Sequence, residues 1–148
     1  MQGGAERMRF ALDTSAAIPL LVSSHEAHEL VATWAAGRTL SLSGHALAES
    51  YAILTRLPGD ARLSPGDAVT LIDDNFPESL TLSTELAGRA HRELARCGIA
   101  GGASYDGLVA LAAREHDATL VTRDARARAS YEALGVRVEL LLTPAQGD

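Results

Sequence analysis

The chain has 148 residues, enough for one domain with a substantial core and too few for two. Hydrophobic residues make up 47% and aromatics only 4%, so that core has to be assembled from Ala, Leu and Val, a composition that suits helices packed closely on a sheet. The net charge of −6 argues against a general nucleic-acid binder, which is ordinarily basic. All 13 basic residues are arginine, and the lack of lysine removes P-loop nucleotide binding and Schiff-base chemistry. A single cysteine, Cys97, permits no intrachain disulfide and fits a reducing compartment. Residues 1–7 have no apolar signal-peptide core, and apolar runs such as residues 16–22 fall far short of the ~18 residues that a membrane span needs. The expectation is a soluble, cytoplasmic domain with no membrane association.

Short apolar runs alternate with amphipathic stretches, the pattern of an α/β domain. Residues 8–12 (MRFAL) read as a first strand ending at Asp13. Thr14 or Ser15 is placed to cap a short helix through Val22, and residues 25–36 read as a second helix closed by Gly37. Residues 39–43 (TLSLS) form a second strand, and residues 46–57 a helix stopped by Pro58 and Gly59. Ser64-Pro65 pairs an N-cap with a proline at the first helical position and opens a helix to Asn75. Residues 79–82 are a short strand. Residues 84–96 are a helix whose Glu85 and whose Arg92 and Arg96 match its dipole, with Gly98 as the stop.

The loop 101–104 (GGAS) leads into a helix at 105–116, then a strand at 119–122 (TLVT), a helix at 125–134 and a last strand at 136–141. Residues 143–148 read as a loose tail. Helices separate the strands, so the sheet is expected to be mostly parallel and covered on both faces. In such sheets ligands sit at the carboxyl ends of the strands.

Four carboxylates stand out against that frame. Asp13 directly follows the first strand, and Asp124 lies just beyond Thr122 at the end of another. Asp106 falls in the first turn of a helix reached through Gly101-Gly102. Glu49 has His45, Ala46, Ala52 and Ile53 as its helical neighbours, and a carboxylate on such a face is costly to bury unless it is paired or binds a cation. Each has a plainer reading. Asp13 and Asp124 could cap helices, Asp106 could favour the positive end of its own helix, and Glu49 could pair with Arg56.

Four segments together carry a resemblance: LDTSA at 12–16, AESYAILTR at 48–56, GGASYDGLVALAA at 101–113 and LVTRD at 120–124. In order and with fitting elements between them, they resemble the PIN-domain nucleases, and most of all the VapC toxins of bacterial toxin–antitoxin pairs. The resemblance runs from about residue 8 to residue 142, which marks one PIN domain with flexible termini at 1–7 and 143–148. The segment before Met8 is longer than is usual in these proteins. The resemblance implies a three-layer α/β/α sandwich around a central, mostly parallel sheet of about five strands. It also implies a homodimer, a small VapB-like antitoxin as partner, and Mg²⁺- or Mn²⁺-dependent cleavage of RNA. Asp13 and Asp106 match the usual metal ligands of the family, while Glu49 and Asp124 match the other two acids. The expected catalytic set is therefore Asp13, Glu49, Asp106 and Asp124, with Asp13, Asp106 and Asp124 holding the metal.

The chemistry of the residues agrees. An all-oxygen donor set suits a hard cation such as Mg²⁺ or Mn²⁺ and not Zn²⁺, and the five histidines lack zinc-site spacing. His25 and His28 read as solvated helix residues. Ser15, Thr14 and Thr122 could orient a water or cap a helix. Arg123, Arg126 and Arg128 flank Asp124 and are candidates for phosphate contacts, whereas Arg89, Arg92 and Arg96 form a surface stripe. Trp34 reads as packing, and the scarcity of aromatics points to recognition by phosphate geometry more than by base stacking. Two other readings stay open. One is a PIN-like binding module without catalysis, the other a metal-dependent DNase or phosphatase using the same quartet.

Overall fold

The sheet places the two ends of the chain's chemistry next to each other. In the computed structural model, which describes residues 8–143, five strands pair in the order β3-β2-β1-β4-β5, and every pairing is parallel. The strands are β1 (Phe10–Leu12), β2 (Leu40–Ser43), β3 (Glu78–Leu80), β4 (Thr119–Thr122) and β5 (Val138–Leu140). The chain winds outward from the central β1 through β2 to β3, then returns to β4 on the other side of β1. That reversal of strand order opens a crevice beyond the carboxyl ends of β1 and β4.

The helices are α1 (Thr14–Leu21), α2 (His28–Ala35), α3 (Gly44–Leu54), α4 (Pro65–Asn75), α5 (Thr84–Arg96), α6 (Ala103–Glu115) and α7 (Arg128–Ala133). The central strands β1, β2 and β4 are buried along their whole length, as a parallel sheet covered on both faces requires. Leu12, Leu42, Leu120 and Val121 are fully buried, each burial stabilising by roughly 1.5–3 kcal/mol. With so few aromatics, alanines at the helix contacts let the layers approach: Ala16, Ala17, Ala46, Ala110 and Ala113 have no exposed surface.

Where caps are strong, sequence and structure agree on boundaries. Ser64 and Ser83 accept from the N–H groups of Asp67 and Leu86, at 3.1 Å each, and open α4 and α5 at the residues their pattern predicts. Elsewhere the elements shift. The helix expected from residue 25 begins at His28, because His25 Nδ1 accepts from the Ala27 N–H at 3.0 Å in the preceding turn. The helix expected from residue 46 starts at Gly44, with Ser43 as its cap, and ends at Leu54. Of the segments expected as flexible termini, 1–7 and 143–148, residues 1–7 and 144–148 lie outside the described residues. Among the described residues no helix is long and apolar enough to cross a membrane.

Candidate active site

Asp13 is both things that its position suggested. It caps α1, its Oδ1 accepting from the Ala16 N–H at 3.2 Å, and it sits at the carboxyl end of the central strand, almost wholly buried. Ser15 also donates to Oδ1, at 2.6 Å, and the Tyr131 hydroxyl donates to Oδ2 at 2.8 Å. Burial raises the Asp13 carboxyl above its ordinary range, against the lowering effect of Ser15, Thr122, Tyr131 and the Ala16 N–H. Burial and the nearby Asp13 charge push the Tyr131 phenol far up, so it stays protonated.

The hydroxyls around Asp13 tie two strand ends together. Ser15 Oγ lies 3.2 Å from Thr122 Oγ1 and accepts from the Arg123 N–H at 2.8 Å. Thr122 Oγ1 accepts from the Asp124 N–H at 3.0 Å. Ser15 and Thr122 thus hold the loop that carries Asp124 against the loop that carries Asp13. The Asp124 carboxylate accepts from the Arg126 N–H at 3.0 Å in a local turn; it does not cap α7, whose cap position, Ala127, makes no side-chain bond.

Asp106 stands in the first turn of α6, half-buried. Its neighbour Gly107 lets α6 pack close to α5: a Cβ there would meet the end of the Leu94 side chain, which would have to shift. Burial raises the Asp106 carboxyl, and the charges of Asp13, Glu49 and Asp124 raise it further, with His45 opposing. Glu49 corrects the expectation drawn from its apolar helix neighbours. It is exposed, facing an open cavity, and it bonds the Thr14 hydroxyl at 2.7 Å and not Arg56.

All four carboxylates line one cavity of about 450 Å³, together with Thr14, Ser15, Ile18, Pro19, His25 and Ile53. No arginine is among the lining residues. Among the described residues, no three acidic, histidine or cysteine side chains already stand close enough to chelate one ion. The donor set nevertheless fits a hard divalent cation. It is all carboxylate oxygen, it converges on one cavity with no arginine among the lining residues, and its members repel one another at Asp106 against the weaker opposing pull of His45.

Three neighbours of the site were given no place in it by the sequence reading. His25 is not a solvated helix residue but a loop residue lining the cavity. His45 stacks on the exposed Tyr105 at 5.3 Å between ring centroids, beside Glu49 at the rim. Tyr131, which no local pattern singles out, is a direct partner of Asp13. The flanking arginines turn out to be engaged on the surface: Arg126 with Asp124 at 3.4 Å, and Arg128 with Glu132 at 3.1 Å. Trp34 packs edge-on against Phe10 and donates to Glu139 at 2.9 Å, which bears out its reading as a packing residue.

Comparison with known proteins gives the same family from two directions. Residues 10–132 match the PIN domain. The chain is 56% identical over 128 residues to Ribonuclease VapC27 of Mycobacterium tuberculosis, covering 86% of this chain and 93% of that protein. Among solved structures, the fold matches the sarcin–ricin loop cleaving toxin VapC20 of the same organism, with a TM-score of 0.63 at 19% identity, over 82% of this chain and 94% of that one. It also matches DNA-bound VapBC from Salmonella typhimurium, with a TM-score of 0.63 at 24% identity, over 90% and 98% of the two chains. The chain belongs to the PIN-domain family, as a ribonuclease of the VapC type.

Proposed function

We propose that this protein hydrolyses RNA phosphodiester bonds with the help of Mg²⁺ or Mn²⁺ held by Asp13, Asp106 and Asp124, with Glu49 as the fourth acid. The observation that carries the reading is the shared cavity: four carboxylates face one space, and no arginine is among its lining residues. Such a cluster is unfavourable in a metal-free protein and becomes favourable when a cation is present. A bound divalent cation supplies two things here, a more acidic attacking water and positive charge for the phosphate as negative charge builds on it.

The chain's own residues do the rest. The hydroxyl network of Ser15 and Thr122 sets the spacing between the Asp13 and Asp124 loops. Glu49, held by Thr14 at the open side of the cavity, is placed to accept a proton from water entering there. Ile18 and Ile53 add apolar surface to the cavity lining. No side-chain nucleophile is needed.

The toxin role follows from similarity to VapC27, and the VapBC complex supports a small antitoxin of the VapB kind as partner. A homodimer and a cytoplasmic location, where its RNA substrates are, complete the reading. The test is cleavage of single-stranded or loop RNA by purified protein. Activity should need Mg²⁺ or Mn²⁺, stop on chelation and return poorly with Ca²⁺, whose coordination is looser. Undiminished cleavage in excess chelator would overturn the metal reading, and cleavage of DNA but not RNA would overturn the substrate.

A further inference from the structure

Asp13 is gripped from both sides. One oxygen takes the Ser15 hydroxyl at 2.6 Å and the Ala16 N–H at 3.2 Å, contacts that any capping aspartate followed by serine can make locally. The other takes the hydroxyl of Tyr131 at 2.8 Å, from a residue 118 positions away. Tyr131 has no exposed surface and belongs to the main core cluster, so its ring cannot swing and its hydroxyl has a fixed position. Packing alone does not call for that hydroxyl. A phenylalanine would fill the same space, and a buried hydroxyl is costly unless it is bonded. Its partner in the structure is the carboxylate at the centre of the acidic cavity.

We propose that Tyr131 is a positioning residue for Asp13: its hydroxyl fixes the plane of the carboxylate so that the oxygens present their free lone pairs to a divalent cation shared with Asp106 and Asp124. The proposal rests on the cation-dependent reading above. Oxygens held only from the Ser15 side could rotate about the Cβ–Cγ bond, a soft, two-fold torsion. The second clamp removes that freedom before the cation arrives. Partners of this kind, bonded to a ligand and not to the metal, typically contribute 10- to 100-fold in metal affinity.

Mn²⁺ binding is followed calorimetrically in the full-length wild type, Tyr131→Phe, Asp106→Asn and Leu134→Ala. Leu134 is a fully buried residue of the same core cluster that does not line the acidic cavity, so its truncation reports lost packing. The expected result is Mn²⁺ affinity weakened roughly 10-fold or more in Tyr131→Phe. Leu134→Ala should melt lower but keep the wild-type affinity. Equal affinity in wild type and Tyr131→Phe overturns the proposal. So does an equal loss in Tyr131→Phe and Leu134→Ala, which would make the contact a packing feature. A wild type that binds no Mn²⁺, or an Asp106→Asn protein that binds it equally well, overturns the cation reading itself and this proposal with it. Should Tyr131→Phe fail to fold, NMR on the wild type decides. The ring carbon bearing the Tyr131 hydroxyl should shift on saturation with Mg²⁺, and a resonance that stays in place overturns the proposal.

Discussion

Glu93 and Asp106 sit on two helices that pack together, α5 and α6, and their surroundings treat the same charge in opposite ways. Glu93 is surrounded by guanidinium groups: Arg96 at 2.9 Å, Arg114 at 3.4 Å and Arg89 at 3.5 Å. The hydrogen bond from Arg96, followed by that from Arg114 and the charges of both, lowers its carboxyl below the ordinary range. Asp106 meets burial and three other carboxylates, which raise its own. Among the described residues three arginines gather on one surface glutamate, Arg126 reaches Asp124 from the solvent side, and none lines the acidic cavity. Charge left without an arginine partner, as at Asp106, marks a place where something from outside is meant to neutralise it.

The strongest way to break this comparison is Asp106→Asn, which keeps the shape and removes one charge. Cleavage should be abolished while the metal-free protein stays as stable as the wild type or becomes more so, because a repulsion has been relieved. Mn²⁺ should raise the wild-type melting temperature, by an amount equivalent to about 2.7 kcal/mol when free metal is 100 times its Kd, and raise the mutant's much less. A mutant that melts lower but responds to Mn²⁺ like the wild type would place Asp106 with Glu93, as a structural carboxylate.

Gly107→Ala tests how the two helices bring Asp106 to the cavity. The added methyl collides with the end of the Leu94 side chain, so α6 or Leu94 has to move. Overpacking of this kind costs about 1–3 kcal/mol and should appear as a lower melting point together with reduced cleavage. An unchanged melting point would show that Leu94 simply turns aside.

Acidification sharpens the contrast. Asp13 and Asp106 have raised carboxyls in the folded state and ordinary ones in the unfolded chain. Between those two values the folded state binds more protons, so the metal-free protein should gain stability as pH falls through that window. Glu93 and Glu115 are lowered by hydrogen bonds and charges, and their contribution is lost further down, as pH falls through their depressed values. Chemical denaturation in chelator across this range should therefore show a rise before the fall, with the rise reduced in Asp106→Asn. A stability that only declines from neutral pH would contradict the mutual repulsion of the cavity's carboxylates.

The smallest effect is expected from Glu93→Gln. Its partners Arg89 and Arg96 are more than half exposed and such surface pairs stabilise little, so melting should drop slightly and cleavage should remain. A large loss of activity would mean that the two carboxylate clusters are coupled through α5 and α6.

The sequence alone sufficed for features whose physics is local. Ser64-Pro65 and Ser83 announce α4 and α5 because a cap is decided within one turn, and alternating apolar runs and helices imply a parallel sheet. Asp13, Glu49, Asp106 and Asp124 were legible as candidates because each stands at a strand end, in a first helical turn or on an apolar helix face, within segments that resemble one family. Their convergence on one cavity is a tertiary fact. It depends on β1 lying between β2 and β4, an order no local pattern encodes, and on a glycine at 107 that lets α6 approach α5. The same distance in sequence hid Tyr131, which reads as a core aromatic until the fold brings its hydroxyl to Asp13, and hid the place of His25 on the cavity wall. Glu49 was misjudged for a related reason: helix periodicity tells which residues share a face but not whether that face meets protein or water. Composition and spacing thus determined which residues could do the chemistry, while the order of the strands decided which of them meet, because contacts between residues far apart in the chain exist only once the sheet has formed.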